Sequence, residues 1–146
     1  MSIPWHFSRR LGNRRGQALA EMALILPVLL LLVFGMIEMS NAWRTFQIVT
    51  NSAREGARVA ILTASDATDI RTRIDQAIDR GGLNPGLANV TIQCFEVNGD
   101  AAGAACTTSG QEARIRVEYP FTFQVLGRLG GLAPITIGST STMRHE

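Results

Sequence analysis

Between Gln17 and Ile37 the chain carries a single charged residue, Glu21. As a helix, this run of about 21 residues spans roughly 32 Å, close to the thickness of a bilayer core. A segment so long and so apolar constrains everything else: the chain is expected to insert in a membrane for at least part of its life. Arg9, Arg10, Arg14 and Arg15 all precede the run, and no acid does. Such an excess of arginine keeps the N-terminus cytoplasmic and sends the residues after Ile37 outside.

The leader and apolar helix take about 37 of the 146 residues, leaving roughly 110 for one small water-soluble domain. The formal charge of +2 conceals an asymmetry, because the chain has no lysine and four of its arginines precede Gln17. Without Met1–Gly16, ten arginines face twelve acids and the net charge becomes −2. The basicity therefore belongs to the leader and implies no nucleic-acid partner; the other arginines read as solvated surface.

Three readings of the helix follow. A secretory signal needs a shorter apolar core, about 7–15 residues, and a small-residue cut site, which Ser40-Asn41-Ala42 could supply. An uncleaved anchor tolerates Glu21 near the interface. The third reading starts from Gly16-Gln17-Ala18-Leu19-Ala20-Glu21. Glycine, four residues, then glutamate at the start of an apolar helix resembles the processing site of type IV pilins and pseudopilins. That resemblance implies a prepilin peptidase cutting after Gly16, with Gln17 the new N-terminus and Glu21 the fifth residue.

A carboxylate inside a membrane helix costs on the order of 3 kcal/mol and calls for a partner. The α-amino group freed at Gln17, of this chain or a neighbour, would serve, and pairing between neighbours would set axial register in a filament. Pro27 removes one backbone bond, so a kink or local unwinding is expected there, which a membrane setting tolerates.

Helical periodicity continues beyond Glu38, with Phe46, Val49, Ala53, Ala57, Ala60 and Ile61 on one stripe. Trp43 sits where an interfacial aromatic belongs. Ala53, Gly56, Ala57, Ala60 and Ala64 leave room for a close neighbour, Arg54 and Arg58 are placed to pair with Glu55, and Gly56 costs about 1 kcal/mol relative to alanine, which suggests a packing reason. The combination of Gly16, Glu21, Pro27, Glu38 and the run Ala53-Arg54-Glu55-Gly56-Ala57-Arg58 resembles the TadE-like family of the tight-adherence (Tad/Flp) pilus system. Met22 departs from the pattern, since the family more often has an aromatic after the glutamate.

The resemblance implies a minor pilin or pseudopilin that assists assembly of a thin adhesive type IV pilus. Its implied partners are a prepilin peptidase, other pilins and pseudopilins of the system, an inner-membrane assembly platform and membrane lipid. Its implied location is the bacterial inner membrane, with incorporation in a surface pilus as a further option. Three parts result: a leader over 1–16, a transmembrane and juxtamembrane helix over 17–64, and an extracytoplasmic domain over 65–146.

In the outer part, Asp66–Arg80 reads as an amphipathic helix with Ile70, Ile74, Ala77 and Ile78 on one face, capped by Ser65 or Asp66 and stopped by Gly81-Gly82. Asn84-Pro85-Gly86 reads as a turn. Strands are expected over Val90–Val97 and Ala113–Tyr119. Pro120 demotes the next junction, Phe121, Phe123 and Val125 alternate again, and a last strand runs from Pro134 to about Met143 with Ile135 and Ile137 inward. The fold class is α+β: a long N-terminal helix continuing into one or two helices packed on a small antiparallel sheet, the lollipop outline that pilins share.

Cys94 and Cys106 flank NGDAAGAA, which reads as a flexible loop. In an oxidising compartment they form a disulfide contributing about 2–3 kcal/mol; the alternative is two free thiols with Cys94 buried in a strand. His6 and His145 lie near opposite ends, acid pairs Asp66/Asp69 and Asp75/Asp79 suit solvated helix faces, and no phosphate-binding glycine loop occurs. No enzyme, cofactor or metal site is expected. Two functions remain besides the pilin route: an uncleaved single-pass protein whose outer domain is an assembly scaffold or binding module, and a secreted enzyme released near Ala42.

Overall fold

The computed structural model describes residues 14–62, 66–103, 106 and 108–145. Residues 1–13 of the leader expected over 1–16, and residues Ala64 and Ser65, named above, lie outside them. By its contacts the chain divides into two compact units after Met36, and helix α1 (Arg14–Ala60) supplies residues to both.

The first unit is the apolar part of α1. An uninterrupted helix satisfies every backbone group it can without outside help, which a span through hydrocarbon demands. The helix continues through Pro27.

The second unit combines the rest of α1 with helix α2 (Ala67–Arg80), a 3-10 turn (Pro85–Leu87), strands β1 (Asn89–Phe95), β2 (Ala101–Gly103) and β3 (Glu112–Phe121), a short helix α3 (Leu126–Gly130) and strand β4 (Ile135–Arg144). The four strands form one antiparallel sheet in the order β2-β1-β3-β4. Alternation along β3 sets which face is inside: Ala113, Ile115, Val117, Tyr119 and Phe121 are buried, while Arg114 and Arg116 point to water. Cys94 and the half-buried Val90 and Ile92 extend that inner face on β1.

α2 covers it. Ile70, Ile74 and Ile78 recur every four residues and are fully buried, each contributing about 1.5–3 kcal/mol of burial. Asp66, not Ser65, caps the helix: its carboxylate accepts from Asp69 N–H at 2.8 Å, and Asp69 reciprocates toward Asp66 N–H. The acid pair Asp66/Asp69 is thus a capping box. Gly82, at φ +79°, carries the chain out of the helix.

Several expectations need correcting. The stretch after Cys94 contains β2, reached through Asn98-Gly99 with Gly99 at φ +91°, so it is in part a hairpin and not simply a flexible loop. The strand expected over Val90–Val97 ends at Phe95. Pro120 does not break β3, which runs on to Phe121 opposite Ile135. The reason is position: β1 ends opposite Glu118, so beyond it β3 has a partner on one side only, and an edge accepts proline. Phe123 and Val125 do not resume a strand; the chain turns into α3. Ile135 shares a face with Ile137 but keeps 45% of its surface exposed.

Candidate assembly helix

The residues expected at a processing site lie at the start of α1. Gly16 and Gln17 are exposed and helical, as is Glu21 one turn on. The Gln17 side-chain amide donates from Nε2 to Glu21 Oε1 at 3.2 Å, so the carboxylate has a partner from the residue expected to supply one, through a different group. From Leu19 to Val33 the large apolar side chains face outward on every side, Leu24 at 77% exposure. Such a surface suits lipid or other apolar helices, not water. Pro27 brings no N–H to the Ala23 carbonyl, the position it would serve in a regular helix.

The Ala53–Arg58 run belongs to the second unit, where its residues divide by face. Ala53 and Ala57 are fully buried beside Val49 and Ala60. A Cβ on Gly56 would stand 2.6 Å from Ile74 Cδ1 and Cγ1 and 3.3 Å from Ile115 Cγ2. The glycine thus sits where α1, α2 and β3 converge, and this is the packing reason its cost called for. Arg54 and Arg58 are exposed. Glu55 does not pair with them: it takes Arg73 of α2, with Nη2 to Oε1 at 2.8 Å. Arg54, the next residue along, diverges around α1, and Arg58, at helical i,i+3 spacing, is within reach in principle, yet it is Arg73 of α2 that takes the carboxylate.

At its other end the second unit holds Glu38, which is 2% exposed. Val125 N–H donates to Glu38 Oε1 at 2.5 Å, fastening the segment before α3 to the helix. Glu38 Oε2 is buried with no hydrogen-bond partner. Arg44 adds a second tie, donating from Nη2 to the Gly81 carbonyl at 2.9 Å. Sequence reasoning placed Glu38 only within a family pattern. The available signal was its position, a carboxylate closing an apolar run.

Cys94 and Cys106 are joined in a disulfide with Cα atoms 5.5 Å apart. Asp75 meets Arg71 at 3.0 Å, a half-exposed helical pair. Among the described residues no cluster of three or more histidine, cysteine, aspartate or glutamate side chains is placed to hold a metal.

Among the described residues one helix is long and apolar enough to cross a membrane. A single N-terminal apolar helix followed by a small α+β domain fits a membrane-anchored protein of pilin-like build. The family model of TadE-like proteins matches residues 16–58, from Gly16 to Arg58. That match points to a Tad pilus-related membrane protein. No curated protein and no solved structure matches the chain.

Proposed function

We propose that this chain is a pseudopilin or minor pilin that assists assembly of a tight-adherence type IV pilus. It is inserted with its N-terminus in the cytoplasm, cut after Gly16 by a prepilin peptidase, and then packed through its apolar helix against other pilins or pseudopilins of the system. The observation that carries this reading is the coincidence of two features in one helix. The stretch matching TadE-like proteins begins at Gly16, and the apolar side chains that follow are exposed all round. The bilayer covers that surface first, and a bundle of like helices can replace the lipid without exposing it to water.

Glu21 supplies the register in this scheme. While the helix lies in the membrane, Gln17 satisfies one carboxylate oxygen. After cleavage the new α-amino group of a neighbouring copy is a stronger partner, because it pairs charge with charge. A helix displaced along its neighbour by one turn would leave the carboxylate unpaired in apolar surroundings.

The N-terminal sequence of the protein recovered from cells tests the route. A start at Gln17 is expected. A start at Met1 would replace this reading with that of an uncleaved anchor whose outer domain is a scaffold, and a start at Trp43 with that of a secreted domain. Glu21→Gln should preserve membrane insertion and reduce co-purification with pili; unchanged pilus number and co-purification would remove the register role.

A further inference from the structure

We propose that the segment joining β3 to β4, from Thr122 to Ile135, rests in the headgroup layer of an anionic lipid surface and holds the outer domain against the membrane. The proposal depends on the reading of Gln17–Ile37 as a bilayer span. Glu38 follows Ile37 directly, and Val125 N–H is bonded to its carboxylate. The polar layer outside the hydrocarbon core is about 5–7 Å deep on each side. A glutamate side chain reaches less far than that. With the apolar run ending at Ile37, the Val125 N–H, one side chain and one hydrogen bond away from the Glu38 backbone, is tied at the level of the headgroup layer.

The chemistry of the segment suits that place. From Tyr119 to His145 the sequence contains no acid, and between Thr122 and Ile135 its one charge is Arg128. Arg128 is exposed and free to meet phosphate groups, which attract juxtamembrane arginine. Leu132, Ala133, Pro134 and Ile135 form an exposed run, with Leu132 at 50%. Glu38, the acid that would repel anionic lipid here, is buried and turned to the Val125 backbone. Trp43, little more than one turn beyond Glu38 and 59% exposed, is the residue type that settles at the same level. Continuity with the span, a single cation and an uncovered apolar run together favour lipid as the occupant.

The test uses the full chain reconstituted in vesicles of phosphatidylethanolamine and phosphatidylglycerol. A bimane label is placed on Leu132→Cys, on Thr142→Cys of the outer sheet face, and on Leu30→Cys within the span. Lipids brominated near the headgroup should quench the Leu132 label several-fold more than the Thr142 label. Adding Arg128→Glu should weaken that quenching. The Leu30 label separates the two layers of the argument: if deeply brominated lipid fails to quench it, the span reading itself falls. If it is quenched and the Leu132 label responds no more than the Thr142 label, the lipid contact is overturned while the span stands. A Leu132 label shielded from aqueous iodide but untouched by brominated lipid would assign the segment to a protein partner and also overturn the proposal.

Discussion

Gly56 is the position at which a single added carbon should have the most readable effect. Gly56→Ala removes the flexibility of glycine inside a helix and so gains about 1 kcal/mol. Its new Cβ must also displace Ile74, whose Cγ1 and Cδ1 would both lie 2.6 Å away, while Ile115 stands at 3.3 Å behind. Inserting a carbon into a packed core costs about 1–3 kcal/mol. The two terms leave a net destabilisation of about 0–2 kcal/mol, or up to roughly 8–16 °C in Tm for a domain near 100 residues. That range alone is a weak test, but a second substitution fixes the sign. Ile74→Ala removes both clashing atoms at its own cost of about 2–5 kcal/mol. In that background the clash with Ile74 is gone and the remaining 3.3 Å contact with Ile115 can relax into the space Ile74 vacates, so the helix term dominates and Gly56→Ala should stabilise by up to about 1 kcal/mol. Thermal unfolding of the four full-length proteins in detergent micelles, followed by circular dichroism, closes the cycle. If Gly56→Ala destabilises equally in both backgrounds, contact with Ile74 is not the reason for the glycine.

Other contacts give narrower expectations. Replacing Cys94 and Cys106 by serine should cost about 3 kcal/mol by the chain-entropy relation, given their separation of 12 residues, and the same loss should follow reduction of the native protein in a thermal scan. Glu38→Ala leaves Val125 N–H without its acceptor and should cost about 1–3 kcal/mol, whereas Glu38→Gln retains an acceptor oxygen and should cost less. Hydrogen exchange at the Val125 amide, fast in the alanine variant and slow in the glutamine variant, checks this. Glu55→Ala should cost no more than about 1 kcal/mol, because its partner Arg73 is substantially exposed. A melt at high salt should narrow the difference from the native protein.

The sequence exposed those features whose cause is local. Ile70, Ile74 and Ile78 repeat with the helical period, and Ala113, Ile115 and Val117 alternate, because each pattern reports one face of one element. The Cys94–Cys106 pairing was legible from proximity in sequence and the outside location expected for the domain. Pro120 was misjudged because its tolerance depends on where β1 stops, a fact about another strand. Val125 was misjudged for the same kind of reason: its alternation with Phe121 and Phe123 is real, but Glu38, far away in sequence, captures its N–H and the chain leaves the sheet. Glu55 shows the limit again, since nothing local chooses Arg73 over Arg54 or Arg58. β2, like Glu38, had a local signal that went unused, the Asn98-Gly99 pair favoured in hairpin turns.

α1 must satisfy two solvents, and the way it divides them bears on processing. From Gly16 to Met36 its residues are exposed or half-exposed, while beyond Ile37 it contributes Glu38, Thr45, Val49, Ser52, Ala53, Ala57 and Ala60 to buried positions. Among the described residues no buried side chain precedes Glu38. A cut after Gly16 would therefore leave the packing of the domain untouched, and the same folded unit could serve before and after processing. A cut near Ala42 would not be neutral, because it removes Glu38 and with it the acceptor for Val125 N–H. Of the two cuts, only the one proposed after Gly16 leaves every buried position of α1 in place. Val49, Ala53, Ala57 and Ala60 of α1 are part of the domain's core, so the helix and the sheet form one packed unit beyond Ile37.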